Sequence, residues 1–489
     1  MKHGKFSITL AACLALLLSG GTAWAAKGGI PGKPDKPDPG DDDPPVTTDE
    51  GVYGWVDEEF WFWRWGHMDG PHDASYALDI SRDGTTAVGV TDVVTFWRAW
   101  RSDIGWAIAT DDGVPPLYNE LQVQEDIGVV APSQPSEAHG ASDMIDGFDL
   151  QTGCTGYDKV ALNLDWCGST TVGALNIGEV SYGTQWLLPV LDQVDDGDYA
   201  TVPDFGGGIS EMVAKDVTAD GLIMVGYGNT KRGLMGFYAD MTDPLLPVVR
   251  QLTITDVVDG QTLRSSSAEA ISWDGTTIVG YGSTKKANRA FVSTVLDATT
   301  DPITLESIIL PMIAGGQYAE AYAMTTTPEG VVHIAGRSDS PKGPQACIWF
   351  KDTSTEDEEW LVKGLGGLAT GAPNSIATGI AYRPDSTVGD LMVVGYSESI
   401  LYDSEAFVWA GNPVLEDDEI GYFYDLEYIL TKTGVGEASS MGSRWILNEA
   451  TGVSAGGGRI VGWGTNPEGG IEAWVVTGYP YDELVFTHE

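Results

Sequence analysis

Ala268-Glu269-Ala270-Ile271-Ser272-Trp273-Asp274-Gly275-Thr276-Thr277-Ile278-Val279-Gly280, followed after nine residues by Ala290-Phe291-Val292, is the clearest copy of a phrase that returns seven times along this chain. With the last glycine of the phrase as anchor, the copies fall at Gly89, Gly173, Gly226, Gly280, Gly336, Gly395 and Gly462, in steps of 84, 53, 54, 56, 59 and 67 residues. A turn glycine lies five residues before the anchor (Gly84, Gly168, Gly221, Gly275, Gly457) or six (Gly330, Gly389). A small residue lies ten after it (Ala99, Gly183, Gly236, Ala290, Ala346) or eleven (Ala406, Ala473), usually followed by an aromatic. Two intervals held within one residue across the copies mean one supersecondary unit used again and again. Such a repeat says how the chain buries its core, and leaves function to the loops that do not repeat.

Each copy reads as strands. Ala77 to Ser81 leads to the turn Arg82-Asp83-Gly84, and Thr85 to Gly89 follows. Asp-Gly between β-branched runs is a strong hairpin signal, because the turn needs a positive φ that glycine takes at little cost. The third strand is the segment seen in full as Ala406-Phe407-Val408-Trp409, and a further apolar run closes the unit: Ile303 to Leu310, Trp360 to Leu365, Tyr422 to Leu430. Four short strands at a period of roughly 55 to 60 residues read as an all-β fold, a seven-bladed β-propeller of four-stranded antiparallel blades. Little chain follows Thr477, so the run Phe60-Trp61-Phe62-Trp63-Arg64-Trp65 is the candidate for the strand that closes the ring. An open β-solenoid is the rival, and the unequal repeat lengths argue against it.

The first residues carry Lys2 and Lys5, then the apolar Ile8 to Leu18, then Ala23-Trp24-Ala25. This is the pattern of a secretory signal peptide over 1–25, cleaved after Ala25, so the protein is expected to be secreted, to the periplasm or beyond. Residues 26–50 are rich in Pro, Asp and Gly, cannot bury a core, and read as a disordered tether. The propeller domain then occupies 51–489. No later apolar run is long enough for a transmembrane segment. Removing Lys2 and Lys5 from the 26 basic residues leaves 24 against 71 acidic ones, a net charge of −47. Nucleic acid and anionic lipid would be repelled. The same charge suits a solvated acidic face, or a surface bridged by calcium. Of the cysteines that remain, Cys347 takes the place of an aromatic in Ala346-Cys347-Ile348-Trp349 and reads as a small buried residue. Cys167 replaces the turn Asp of the second copy, and Cys154 lies thirteen residues before it, inside the insertion that lengthens the first step; in an exported protein the two are expected to form a disulfide.

Few motifs carry chemistry. Gly452-Val453-Ser454-Ala455-Gly456 matches a nucleophile elbow, but Ser454 falls on the repeat position of Ser81 and Ser272, where a turn serine bonds locally. His67, Asp69, His72 and Asp73 form the most ligand-like cluster and are the metal candidates, although their Gly- and Pro-containing stretch is a loop with no preset geometry. The turn acids Asp83, Asp220 and Asp274 invite comparison with sialidase aspartate boxes, yet lack the intervening residue and the closing Trp; they are expected to cap their own turns. Calcium is the alternative there, and no other cofactor is expected. Glycosidases need two flanking carboxylates, but among 71 acids a suitable pair is uninformative. Trp100, Trp349, Trp409 and Trp474 fall in the third-strand phrase and read as core, which leaves insertion residues such as Trp106, Tyr118 and Tyr157 to meet a ligand.

The consensus Ala-x-x-Ile-Ser-x-Asp-Gly-x-x-Val-Val-Gly-Tyr, followed by Ala-Phe-Val-Trp, resembles the bacterial extracellular HAF repeat family over about 75 to 476. Its tripeptide stands here as Arg289-Ala290-Phe291, Glu405-Ala406-Phe407, Glu472-Ala473-Trp474 and Gln345-Ala346-Cys347, each without the histidine. The resemblance implies an exported repeat protein and brings no catalytic residues with it. The reading reached is a monomeric, non-catalytic, exported propeller that binds a glycan, a protein or an envelope surface component. The alternatives are a glycan-active hydrolase or lyase on the same scaffold, and an acidic, calcium-bridged structural protein of the envelope or matrix.

Overall fold

In the computed structural model, the described residues are 61–64, 74–103, 125–126, 136–141, 148–149, 153–154, 171–177, 180–186, 199–202 and 211–477, apart from gaps within the long spans. The stretches expected to be a signal peptide and a tether, and the His67 to Asp73 cluster, lie outside them.

Strand β1 (Trp61–Arg64) precedes the first unit, which is β2 (Ser75–Ile80), β3 (Thr86–Val93), β4 (Phe96–Asp103) and β5 (Glu125–Asp126). The second contains β6 (Ser136–Ala141), the ribbon β7 (Phe148–Asp149) and β8 (Gly153–Cys154), β9 (Thr171–Ile177), β10 (Val180–Trp186) and β11 (Tyr199–Thr201). Then come β12 (Glu211–Val217), β13 (Ile223–Thr230), β14 (Gly233–Asp240) and β15 (Val248–Gln251), and after them β16 (Ser265–Ile271), β17 (Thr277–Ser283), β18 (Asn288–Asp297) and β19 (Thr304–Ile309). The next two units are β20 (Ala319–Thr326), β21 (Val332–Ser340), β22 (Gly343–Lys351) and β23 (Trp360–Gly366), and β24 (Ser375–Tyr382), β25 (Leu391–Ser397), β26 (Glu405–Gly411) and β27 (Gly421–Asp425) with helix α1 (Leu426–Thr433). The chain's last strands are β28 (Ile446–Val453), β29 (Arg459–Thr465) and β30 (Ile471–Thr477).

Antiparallel four-stranded blades make this an all-β propeller. The first strands touch in a closed circuit, β2 to β6, β12, β16, β20, β24, β28 and back to β2. The aromatic strand β1 completes the last sheet by pairing with β30, Trp61 opposite Thr477 and Arg64 opposite Trp474. Two details differ from the sequence expectation. Among the described residues the repeats form six large sheets and not seven separate ones, because β10 and β12 meet through a parallel bridge at Ser181 and Glu211 that merges two units into one eight-stranded sheet. The run from Tyr422 to Leu430 is a strand only as far as Asp425. There the Asp425 carboxylate accepts the N–H of Glu427 at 2.9 Å and starts α1. Leu426, Ile429 and Leu430, at helical spacing, then fill the core beside Trp445 and Trp474.

The anchor glycine has a steric cause. It lies opposite the repeat alanine, Gly280 against Ala268, where the first strand bulges. A Cβ on Gly280 would sit 2.0 Å from the Ser267 carbonyl oxygen and 3.1 Å from the Phe291 ring. Gly89, Gly226, Gly336, Gly395 and Gly462 meet the equivalent carbonyl at 2.0 or 2.1 Å. The small residue of the third strand is explained by the next blade. Its N–H donates to a serine of the following first strand, Gly236 to Ser266 at 3.0 Å, Ala346 to Ser375 at 2.9 Å and Ala473 to Ser75 at 3.0 Å. The last of these joins the end of the chain to its beginning. Core clusters repeat between blades, and one of them packs Ala77, Ile80 and Trp100 of the first unit against Val461, Ala473 and Val475 of the last. Trp100, Trp349, Trp409 and Trp474 are all fully buried, as their place in the phrase implies.

Candidate functional site: the inner strands and the hairpin mouth

Directly after the repeat alanine, every first strand carries one residue outside the ladder: Leu78, His139, Lys215, Glu269, Tyr322, Thr378 and Thr451. A bulge re-aims its extra side chain, so seven side chains of six kinds, threonine standing twice, occupy one register position around the ring. Some bind blade to blade. Thr378 donates to the Ala450 carbonyl at 2.6 Å, and Thr451 to that of Ala77 at 2.9 Å. In other blades the next residue does this work. One Asp216 oxygen accepts the N–H of Val217 at 2.8 Å and the other that of Ile271, in the following blade, at 2.7 Å. Asp79 likewise accepts from the backbone of Ile80 and of Ala141.

The densest polar cluster joins the fourth and fifth units. Glu320 is buried and accepts from Arg337 Nε at 2.8 Å, Arg337 Nη2 at 2.7 Å, Asn288 at 2.6 Å and the Tyr322 hydroxyl. The Arg337 guanidinium lies 5.0 Å over the Tyr318 ring, and Tyr281 meets Tyr322 edge-on at 6.1 Å. Glu269 accepts from the Ser267 hydroxyl and lies 3.9 Å from the Lys215 ammonium. Burial pushes the Glu269 carboxyl and the Tyr322 phenol above their ordinary values. Burial also raises Asp216 and Glu449 to about 7, and it raises Asp79, with the Asp216 charge adding to the effect. The Glu269, Glu320, Asp216 and Asp79 carboxylates are engaged by donors of the protein itself, which is the chemistry of a rigid polar interior.

At the hairpin end, the repeat hydroxyl closes each turn. Ser81, Thr218, Ser272 and Ser454 accept the N–H of Thr86, Ile223, Thr277 and Arg459 at 3.0, 3.1, 2.9 and 3.1 Å. Ser454 is therefore a structural turn serine, fully buried. Ser81, Thr218 and Ser272 also donate to the turn acids Asp83, Asp220 and Asp274 at 2.6, 2.5 and 2.6 Å, so these acids cap their turns as their position suggests. The turns lean on one another. Ala219 donates to the Trp273 carbonyl at 3.3 Å, Ala455 to that of Arg82 at 2.7 Å, and the buried Arg459 to that of Gly84 at 2.6 Å. Arg82, from the first unit, places its guanidinium 5.4 Å over the ring of Trp273, from the fourth. A side chain thus reaches across the hairpin mouth.

Among the described residues, no group of three or more His, Cys, Asp or Glu is arranged to hold a metal, and no helix is long and apolar enough to cross a membrane. His67, Asp69, His72 and Asp73 lie outside those residues, as do Cys167, Trp106, Tyr118 and Tyr157. Cys154 ends β8, in the connection between β6 and β9, which also contains Cys167. The insertion is thus partly an enlarged hairpin loop of the second unit, whose first strand is Ser136-Glu137-Ala138-His139-Gly140-Ala141, with Ala138 opposite Gly173. Peptide mapping under non-reducing conditions is expected to recover Cys154 and Cys167 as one linked pair; alkylation of both would refute the bond. Cys347 is free and buried, and burial pushes its thiol up. Two features escape a sequence reading that assigns function to loops alone: the bulge residues, and Trp273, which is 51% exposed in the variable slot of its turn.

No protein-family model and no curated protein matches this chain. Solved structures do. A mutant puromycin hydrolase complexed with PGG aligns over 84% of this chain and 54% of its own, at 12% identity and a TM-score of 0.45. The Dos1 propeller aligns over 88% and 97% at 10% identity and a TM-score of 0.41. Sqt1 from Chaetomium thermophilum, bound to the N-terminus of the ribosomal protein L10, aligns over 86% and 98% at 11% identity and a TM-score of 0.38. The chain spans about half the length of the hydrolase it matches. Likeness at this level carries no argument about activity or partner.

Proposed function

We propose that this chain is an exported, non-catalytic β-propeller that binds a glycan, a protein or an envelope surface component on one face of its ring. In this reading the merged sheet counts as two blades, giving seven, one for each anchor glycine. Export rests on Lys2, Lys5, the apolar run to Leu18 and Ala23-Trp24-Ala25. The observation that carries the binding reading is the state of the inner carboxylates. Catalysis by an acid and base pair needs carboxyl groups that can exchange protons with a substrate. Glu320 is instead surrounded by Arg337, Asn288 and Tyr322, and Asp216 holds two backbone N–H groups. A rigid interior of this kind presents surfaces.

A glycan array, combined with pulldown from native envelope material, tests the proposal. Retention of one glycan class or one envelope component, recovered chemically unchanged, is the expected result. Shortened or unsaturated glycan in the eluate would sink the non-catalytic reading in favour of a hydrolase or lyase.

A further inference from the structure

We propose that the hairpin mouth of the ring is a platform for an uncharged polysaccharide, with the Trp273 indole as its stacking surface. The inference deepens the binding reading above and rests on it. Trp273 is 51% exposed, whereas Trp100, Trp349, Trp409 and Trp474 are fully buried. An indole left half in water forgoes much of the burial energy such a side chain can supply. The turn does not require an indole either, because the same slot holds Arg82 in the first unit, Ala219 in the third and Ala455 in the last.

The ring is nevertheless held in place. Its own carbonyl accepts from Ala219, the neighbouring Ser272 hydroxyl accepts the N–H groups of Thr276 and Thr277, and Arg82 lies over the indole from across the mouth. The Arg82 backbone is held in turn, since its carbonyl accepts from Ala455. A platform ordered in advance loses little entropy on binding.

Polar acceptors stand beside it. Asp274 is the next residue, and Asp220 follows the residue that bonds to Trp273. Both are exposed, and their described hydrogen bonds fall on Oδ1: from Thr218 and Leu222 to Asp220, and from Ser272 and Thr276 to Asp274. Oδ2 of each is available to accept sugar hydroxyls while the C–H face of the sugar covers the indole. The rim acids, and a chain of net charge −45, repel anionic polymers, while the Arg82 guanidinium over the indole disfavours a cationic one at the platform itself, which leaves an uncharged one.

The competing account makes Arg82 and Trp273 a plug that only steadies the mouth. Affinity electrophoresis of the full mature protein in gels containing dextran, pullulan or mixed-linkage β-glucan separates the two, with the thermal midpoint measured in parallel. Expected is retardation of the wild type by at least one polymer, affinity about tenfold weaker in Trp273→Ala, an intermediate value in Trp273→Phe, and unchanged midpoints. Trp273→Phe keeps a ring beneath Arg82 and so separates stacking from folding. Equal retardation of wild type and Trp273→Ala would overturn the inference and leave the binding reading intact. No retardation by any polymer, with an envelope component still captured by the wild type, would do the same. No retardation and no capture would overturn both.

Discussion

Gly280→Ala is expected to be among the most damaging single substitutions in this protein, more so than removal of a charged group. The added methyl carbon would lie 2.0 Å from the Ser267 carbonyl oxygen, 3.1 Å from the Ala268 Cα and 3.1 Å from the Phe291 ring. Two of these obstacles are backbone of the strand paired with Gly280, so no rotamer change relieves them. Overpacking a core costs about 1–3 kcal/mol when side chains can yield, and here the backbone ladder itself must open, so a loss of about 3 kcal/mol or more follows. Gly330→Ala is the informative control. Gly330 has φ +84° and nothing within 4 Å of a Cβ, so its cost is only that of a left-handed alanine, about 1–2 kcal/mol. Denaturant midpoints should therefore rank wild type above Gly330→Ala, and that above Gly280→Ala. Equal midpoints for the two variants would show that turn conformation, and not the close approach at the bulge, keeps glycine in the phrase.

The same glycine shows why so much of the fold is legible in the sequence. Close approach at the bulge, positive φ at the turn and a third-strand N–H shared with the next blade each restrict one position to one or two residue types. Those restrictions recur wherever the unit does. They leave a periodic mark at Gly280, Gly275 and Ala290, and the same logic makes Ser454 a turn serine rather than a nucleophile. The merging of β10 with β12 leaves no such mark, because a backbone bridge at Ser181 and Glu211 is indifferent to side chains. The helix after Asp425 is hidden for a related reason: Leu426, Ile429 and Leu430 are as apolar as a strand run of similar length, and only their spacing separates the two. The first strand of the second unit escapes, although its anchor Gly173 does not, because the hairpin loop between them is enlarged. The site is less legible still. Six residue types share the seven bulge positions, and a position that varies looks like noise until the register shows that all seven follow the same alanine. Trp273 is hidden more simply, since it lies inside the best copy of a phrase whose other tryptophans are core.

Stability is expected to fall as pH rises from 5 to 8, the reverse of the behaviour of a protein held by salt-bridged carboxylates. Asp216 and Glu449 are carried by burial from ordinary values of 3.8 and 4.5 to about 7 in the folded chain. Between those limits the folded state binds more protons than the unfolded one. The contribution of these groups is therefore fully present below about pH 4 and is lost as pH climbs through 7. Asp79 and Glu269 shift in the same direction, and Asp79 is raised further by the Asp216 charge, with Lys215 opposing. Asp216 and Glu449 each contribute on the order of a few kcal/mol across this window, enough to move a denaturation midpoint visibly. Self-repulsion in a chain of net charge −45 also grows as acids ionise, but surface repulsion is screened by salt, whereas the buried groups respond little. Denaturation midpoints at pH 5 and 8 should accordingly keep most of their difference in 1 M salt. Asp216→Asn, which stays neutral throughout, should narrow that difference while lowering stability at pH 5, because its amide nitrogen cannot accept one of the two N–H groups that the carboxylate holds. A wild-type midpoint that is independent of pH over this range, or a slope unchanged by Asp216→Asn, would mean that Asp216 is ionised in the folded ring. Asp216 would then join the Val217 and Ile271 strands as a charged clamp, with the two backbone donors offsetting its burial.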